Sequence, residues 1–207
     1  FIIMQRIRGE RFDEILRRGE EEKFVEALAL SLHRLHSISM EDLNLNLPVK
    51  EFNDEVSDLK ILAGILLPFS TAIRGFNKIY KLINELSAYN IKGNQPALLH
   101  GDCSPENVIY SNGLVYLIDL ESMYIGDPAY DLGYAYHALR MSAFSRPELA
   151  NYLIKTYEKI HGKIENLEVY KRLTALKIAT LIEFLRGFNP FSLFFIGFRR
   201  VMGFITG

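Results

Sequence analysis

Six carboxylates stand in a stretch of 47 residues, Gly93 to Leu139, that contains no lysine or arginine: Asp102, Glu106, Asp119, Glu121, Asp127 and Asp131. Most of them sit beside chain breakers or strand ends rather than on a solvated helix face. Carboxylates that converge in loops repel one another unless a cation or a proton joins them. Together with a neutral amide oxygen they make the ligand set of magnesium. They fall in three blocks: His100-Gly101-Asp102-Cys103-Ser104-Pro105-Glu106-Asn107, Ile118-Asp119-Leu120-Glu121, and Gly126-Asp127-Pro128-Ala129-Tyr130-Asp131-Leu132.

The elements that must position these blocks are short. Val108-Ile109-Tyr110 and Leu114-Val115-Tyr116-Leu117-Ile118 flank Asn112-Gly113, a strong local signal for a β-hairpin. A two-residue turn there pairs residues whose numbers sum to 225, which sets Asn107 opposite Ile118 and Asp119 just beyond, at the open end. Strict alternation would aim Asn107 and Asp119 at opposite faces. Both reach one ion only if the strand end flares as Asp119 leaves the sheet.

Helical pattern surrounds this β region. Glu10 to Arg18 reads as a short helix ended by Gly19, and Glu21 to His36 as a longer one with Phe24, Leu28, Leu32 and Leu35 on one face. Glu51–Leu66 and Ser70–Leu86 are two more, around Pro68. Ser37–Lys50 reads as a loop. Pro128–Met141, Pro147–His161, Leu167–Phe188 and a segment from Phe191 complete the helices. The Phe-rich end (Phe184, Phe188, Phe191, Phe194, Phe195, Phe198) reads as packing surface. Phe1 to Ile7 reads as a strand before the Arg8-Gly9 break. The fold class is α+β, mainly α.

Composition excludes several function classes. Of 207 residues, 49% are hydrophobic, enough to bury a core and to exclude disorder. With 24 Lys+Arg against 25 Asp+Glu, net charge is −1, which disfavours a nucleic-acid binder working by bulk charge. One cysteine, Cys103, excludes a disulfide scaffold and a multi-cysteine zinc site. No signal peptide and no membrane-spanning run is readable, so a soluble cytoplasmic protein is expected. The chain begins with Phe1, as expected if residues were removed upstream or if this is a piece of a longer protein.

The three blocks in order, H-G-D-x4-N, I-D-x-E and G-D-P-x-Y-D-L, resemble the aminoglycoside phosphotransferase and choline kinase-like enzymes, small-molecule relatives of protein kinases. The resemblance implies a protein kinase-like C-terminal lobe with a small β-hairpin insert carrying the catalytic loop. Its motif core spans 97–132. Residues 1–8 would be the interlobe linker or hinge strand, with backbone around Gln5, Arg6 and Ile7 meeting adenine, and 9–207 the helical lobe. Leu32-His33-Arg34-Leu35-His36 resembles the helix after the hinge.

The implied activity is transfer of the γ-phosphoryl group of ATP to an alcohol of a small molecule, with Mg2+. By resemblance, Asp102 accepts or orients the proton of the acceptor hydroxyl, and Asn107 and Asp119 hold the metal. His100 supports the loop, Asp131 braces it through backbone hydrogen bonds, and Glu121 and Asp127 are supporting or substrate-facing groups. An acidic, lysine-free segment would also attract a cationic acceptor. Cys103 stands where the family usually has a bulkier apolar residue, and reads as a small buried hydrophobe.

The chain departs from the family at its start. It has no G-x-G-x-x-G, no lysine in a V-A-I-K-like strand and no helix placed to supply that lysine's glutamate partner. The N-terminal lobe is therefore expected to be absent, and this chain alone to bind ATP weakly and turn over little. The alternative is a catalytically silent kinase-like module that binds a ligand or partner. Acceptor identity and oligomeric state are left open.

Overall fold

The computed structural model describes residues 6–41, 45–66, 73–141 and 147–188. Helix α1 (Phe12–Arg18) starts where Glu14 accepts the Arg11 N–H, at 3.0 Å, and stops at Gly19. Helix α2 (Glu21–His36) opens on acids and closes on His33, Arg34 and His36, the order that suits the helix dipole. It buries Phe24, Leu28 and Leu32 on one face, with Leu35 half-buried. Helices α3 (Phe52–Leu66) and α4 (Ile73–Leu86) follow, and α4 buries Ile79 and Ile83. Three helices close the described chain: α5 (Ala129–Met141), α6 (Pro147–His161) and α7 (Leu167–Phe188). Helix α2 packs on α6, and α5 packs between α6 and α7. Leu132, Leu139, Leu153 and Leu176 meet in that core.

Two small antiparallel pairs sit among the helices. Strands β2 (Val108–Ser111) and β3 (Leu114–Leu117) pair as Val108↔Leu117 through Ser111↔Leu114, the register read from the sequence. Asn112 (φ 51°) and Gly113 (φ 79°) both take left-handed backbone, the requirement of the tight turn that matches strand twist. Strand β1 (Ala97–Leu99) pairs with β4 (Tyr124–Gly126), and Val49 adds a parallel bridge to Ile125.

Strand β4 and the Val49 bridge differ from expectation. The sequence pattern leaves Tyr124–Gly126 without an element and places Val49 in a loop, yet Tyr124–Gly126 pairs with β1 and Val49 bridges to Ile125 on its other side. A strand of three residues carries no readable period, and only its partner fixes it. At the start, Arg6 and Ile7 are not in a strand. Among the described residues the first pairing is at Glu10, which exchanges backbone hydrogen bonds of 2.8 and 2.9 Å with Tyr110. Gln5, the rest of Phe1–Gln5, Pro68 and the segment from Phe191 lie outside the described residues.

Candidate active site

The loop from His100 to Asn107 leaves β1 and is held from below by one acid. Asp131, on the first turn of α5 and fully buried, accepts the His100 N–H at 2.7 Å and the Gly101 N–H at 2.9 Å. Its Oδ2 also meets His36 Nε2 at 3.1 Å, and His36 Nδ1 lies 2.7 Å from the Tyr157 hydroxyl. The His36 ring thus bridges the Asp131 carboxylate and the Tyr157 hydroxyl, one on each ring nitrogen. Burial pushes the Asp131 carboxyl up. The His36 ring and the two backbone N–H groups more than offset it, so its pKa lies below the ordinary value.

His100 ties the loop to the hairpin. Its buried ring donates from Nε2 to the Ile118 carbonyl at 2.9 Å and accepts the Asp102 N–H at Nδ1, at 3.3 Å. Gly101 makes this turn with φ 80°, and a Cβ there would stand 2.2 Å from the Ser122 carbonyl oxygen. Gly101→Ala is therefore expected to cost about 1–2 kcal/mol for the left-handed backbone alone, with the clash against a backbone atom added. Thermal melting should show a drop of at least roughly 2–4 °C. An unchanged melting temperature would mean the turn is not built as described.

Asp102 is half-buried above this frame. The Asn107 Nδ2 donates to the Asp102 carbonyl at 3.0 Å and to its Oδ2 at 2.9 Å. Two acceptors on that side fix the amide's orientation and leave Asn107 Oδ1 outside both bonds. The Tyr134 hydroxyl, from α5, lies against the same carboxylate. Burial first, then Asp102, pushes the Tyr134 phenol up, so it stays protonated and donates.

Asp119 stands at the open end of the hairpin. The Ile118 N–H donates to the Asn107 carbonyl at 2.9 Å, so Asn107 and Ile118 are opposite neighbours. Strand β3 stops at Leu117 and Asp119 takes left-handed backbone (φ 62°, ψ 63°), so strand alternation does not run through it. Its side chain is exposed and makes no ion pair or hydrogen bond among the described residues. An unpartnered carboxylate and an amide oxygen left out of those bonds fit Mg2+, which takes one or two carboxylates and completes its shell with water and phosphate. No cluster of three or more His, Cys, Asp or Glu forms a metal site among the described residues.

The acidic segment does not converge as one set. Asp127 faces away from the loop. Its Oδ1 accepts from Asn94 Nδ2 at 2.8 Å and from the Ala129 N–H at 2.9 Å, and its Oδ2 from the Asn94 N–H at 2.8 Å. It starts α5 and pins the Asn94 loop. Asp131 is likewise spent on backbone. Glu106 and Glu121 are exposed, and Glu121 lines a cavity of about 280 Å³ with Gly101, Ser122, Tyr124 and Lys177. Cys103 is buried, and burial together with Asp131 and Asp102 pushes its thiol well up, as suits an inert hydrophobe.

Nor is the site free of lysine. Lys50, before α3, and Lys177, from α7, both line that cavity. Neither they nor Glu55 are marked by any motif. The available signal was an acid and a base on apolar helix faces: Glu55 between Phe52 and Leu59, Lys177 four residues after Leu173.

The fold is shared with small-molecule kinases. A choline kinase from Streptococcus pneumoniae in complex with AMP is 18% identical, with TM-score 0.57, covering 89% of this chain and 62% of that one. A choline kinase from Cryptosporidium parvum is 12% identical, with TM-score 0.68, covering 96% and 68%. An aminoglycoside-3'-phosphotransferase of type VIII is 18% identical, with TM-score 0.59, covering 77% and 62%. The chain thus spans 62–68% of the length of these relatives. No curated protein matches the sequence. Residues 1–171 match the phosphotransferase enzyme family, and the chain belongs to it. No helix among the described residues is long and apolar enough to cross a membrane.

Proposed function

We propose that this chain carries the catalytic loop of an ATP- and Mg2+-dependent phosphotransferase that acts on an alcohol of a small molecule. The observation that carries this is Asp102: a half-buried carboxylate fixed by Asn107 and Tyr134 on a loop that Asp131 and His100 hold rigid. A carboxylate so placed takes the proton of the acceptor hydroxyl as its oxygen attacks the γ-phosphorus of ATP. One O–P bond forms, the bond to ADP breaks, and the proton ends on Asp102. Asn107 Oδ1 and Asp119 would hold the metal. Bound there, Mg2+ would neutralise charge on the phosphoryl group in transfer.

In this proposal the 207 residues act as the C-terminal lobe with its hinge, and the phosphate clamp of an N-terminal lobe lies outside them. Their coverage of 62–68% of the related kinases and the lack of a glycine-rich loop motif support this. The test is phosphorus NMR of the protein at its natural length with ATP, Mg2+ and a panel of alcohols. A new phosphate ester, formed with stoichiometric ADP and abolished by chelation, is expected. Ester formation that persists under EDTA would sink the metal assignment, and no ester with any alcohol would favour the silent-module alternative.

A further inference from the structure

Beside the catalytic loop, two adjoining cavities of about 210 and 280 Å³ share Lys50, Glu55 and Lys177. The larger opens at Gly101, and the other reaches Tyr130 between α3 and α7. Glu55 and Tyr124 are each only 6% exposed. They face each other at the edge of hydrogen-bonding reach, but the contact falls short of a well-formed hydrogen bond, and Glu55 Oε1 and the Tyr124 hydroxyl have no other hydrogen-bond partner among the described residues. Burial pushes the Glu55 carboxyl up. Buried polar atoms without partners cost stability, and that cost is retained where a ligand supplies the partner.

What would enter is constrained by the tyrosines. A quaternary ammonium or other organic cation is bound through aromatic faces. Here the Lys50 ammonium already lies 5.2 Å from the Tyr124 ring centre, and the Lys177 ammonium 5.1 Å from that of Tyr130. Tyr130 also stacks on Tyr134, and its hydroxyl accepts from Lys177. Asp58 is paired to Lys50 at 2.7 Å. An anion would meet Glu55. A neutral hydroxyl satisfies both sides, because it donates to Glu55 Oε1 and accepts from Lys177 or Tyr124. The volumes suit a single small ring rather than a multi-ring aminoglycoside.

We infer that these cavities form the acceptor pocket, that it takes a neutral, hydroxyl-rich molecule of monosaccharide size, and that Lys50 and Lys177 exclude cationic acceptors. The location as an acceptor site rests on the phosphotransferase proposal. The choice of polyol over cation does not, because it follows from the cavity's own groups.

The test is calorimetric or saturation-transfer binding to the protein at its natural length. The probes are D-ribose, D-glucose, D-fructose and myo-inositol against choline, ethanolamine and gentamicin. At least one polyol should bind, and Glu55→Gln should weaken it at least tenfold, with Tyr124→Phe as the milder second variant. Lys177→Met, which bares the Tyr130 face, should admit choline, a gain that misfolding cannot mimic. The inference is overturned if no polyol binds, if a cation outcompetes every polyol on the wild type, or if both Glu55→Gln and Tyr124→Phe leave affinity unchanged. Phosphate transfer to a cationic alcohol would retain the phosphotransferase proposal and sink the pocket's. Polyol binding without any transfer would do the reverse.

Discussion

Asp102→Asn is expected to lower phosphate transfer by roughly 10²–10⁴-fold, the range of general acid–base catalysis, while the fold and acceptor binding persist. The substitution is close to isosteric. The Asn107 amide can still donate to the remaining side-chain oxygen and to the backbone carbonyl of residue 102, and the Tyr134 hydroxyl can turn to accept. What disappears is the negative charge and the oxygen that, in the proposed reaction, takes the acceptor's proton. The loop beneath is held by Asp131 and His100 and does not depend on the Asp102 side chain. Melting temperature should therefore stay close to wild type, while the initial rate of ester formation collapses at saturating acceptor. A rate within threefold of wild type would remove Asp102 as the base. A lost rate accompanied by a lost melt would show that the residue is structural.

The parts of this site that were legible in the sequence are those fixed by local chemistry. Asn112-Gly113 sets a turn with two left-handed residues, and that turn sets the register of β2 against β3 without help from the rest of the chain. Once the register stands, Asn107 must face Ile118, and Asp119 must come next. Helices α2, α6 and α7 carry their own period, so Glu21–His36, Pro147–His161 and Leu167–Phe188 were readable to the residue. The three motif blocks added the roles, through resemblance rather than through spacing.

What was not legible depends on tertiary contact. Strand β4 exists because β1 and Val49 lie on either side of it. The charge of the segment from Gly93 to Leu139 suggested one acidic basin. The fold instead spends Asp127 and Asp131 on backbone N–H groups and brings Lys50 and Lys177 in from elements 43 and 38 residues beyond its two ends. Linear charge density speaks to a site's potential only when the same segment forms all its walls. Lys177 shows the cost of that assumption: burial pushes its ammonium down, and Glu55, which only partly offsets this, stands far from it in sequence.

Asp131 carries the largest expected effect on stability. It is fully buried and accepts three hydrogen bonds, from His36, His100 and Gly101. Asp131→Ala would strand those three donors in the core, at about 1–3 kcal/mol for each buried group left without a partner, and about 3–5 kcal/mol together once water takes up part of the gap. For a chain of this size that is a fall of roughly 6–20 °C in melting temperature. The pH dependence separates this from a simple cavity effect. Because the folded pKa lies below the unfolded one, the ionised carboxylate stabilises the fold fully above about pH 4, the unfolded value, and that contribution is lost as pH falls through the folded pKa. The gap between wild type and Asp131→Ala should be widest near neutrality and narrow steadily below about pH 4. His36→Gln gives the second arm. It removes one of the groups that lower the Asp131 pKa but keeps a donor in the pocket, so the acid limb of the wild-type curve should move up in pH. A gap between wild type and Asp131→Ala that is constant from pH 7 to pH 3 would mean that Asp131 titrates alike in the folded and unfolded chain, and a gap that widens below pH 4 would mean that it is neutral in the fold; either result would remove the ionised brace beneath the His100–Asn107 loop.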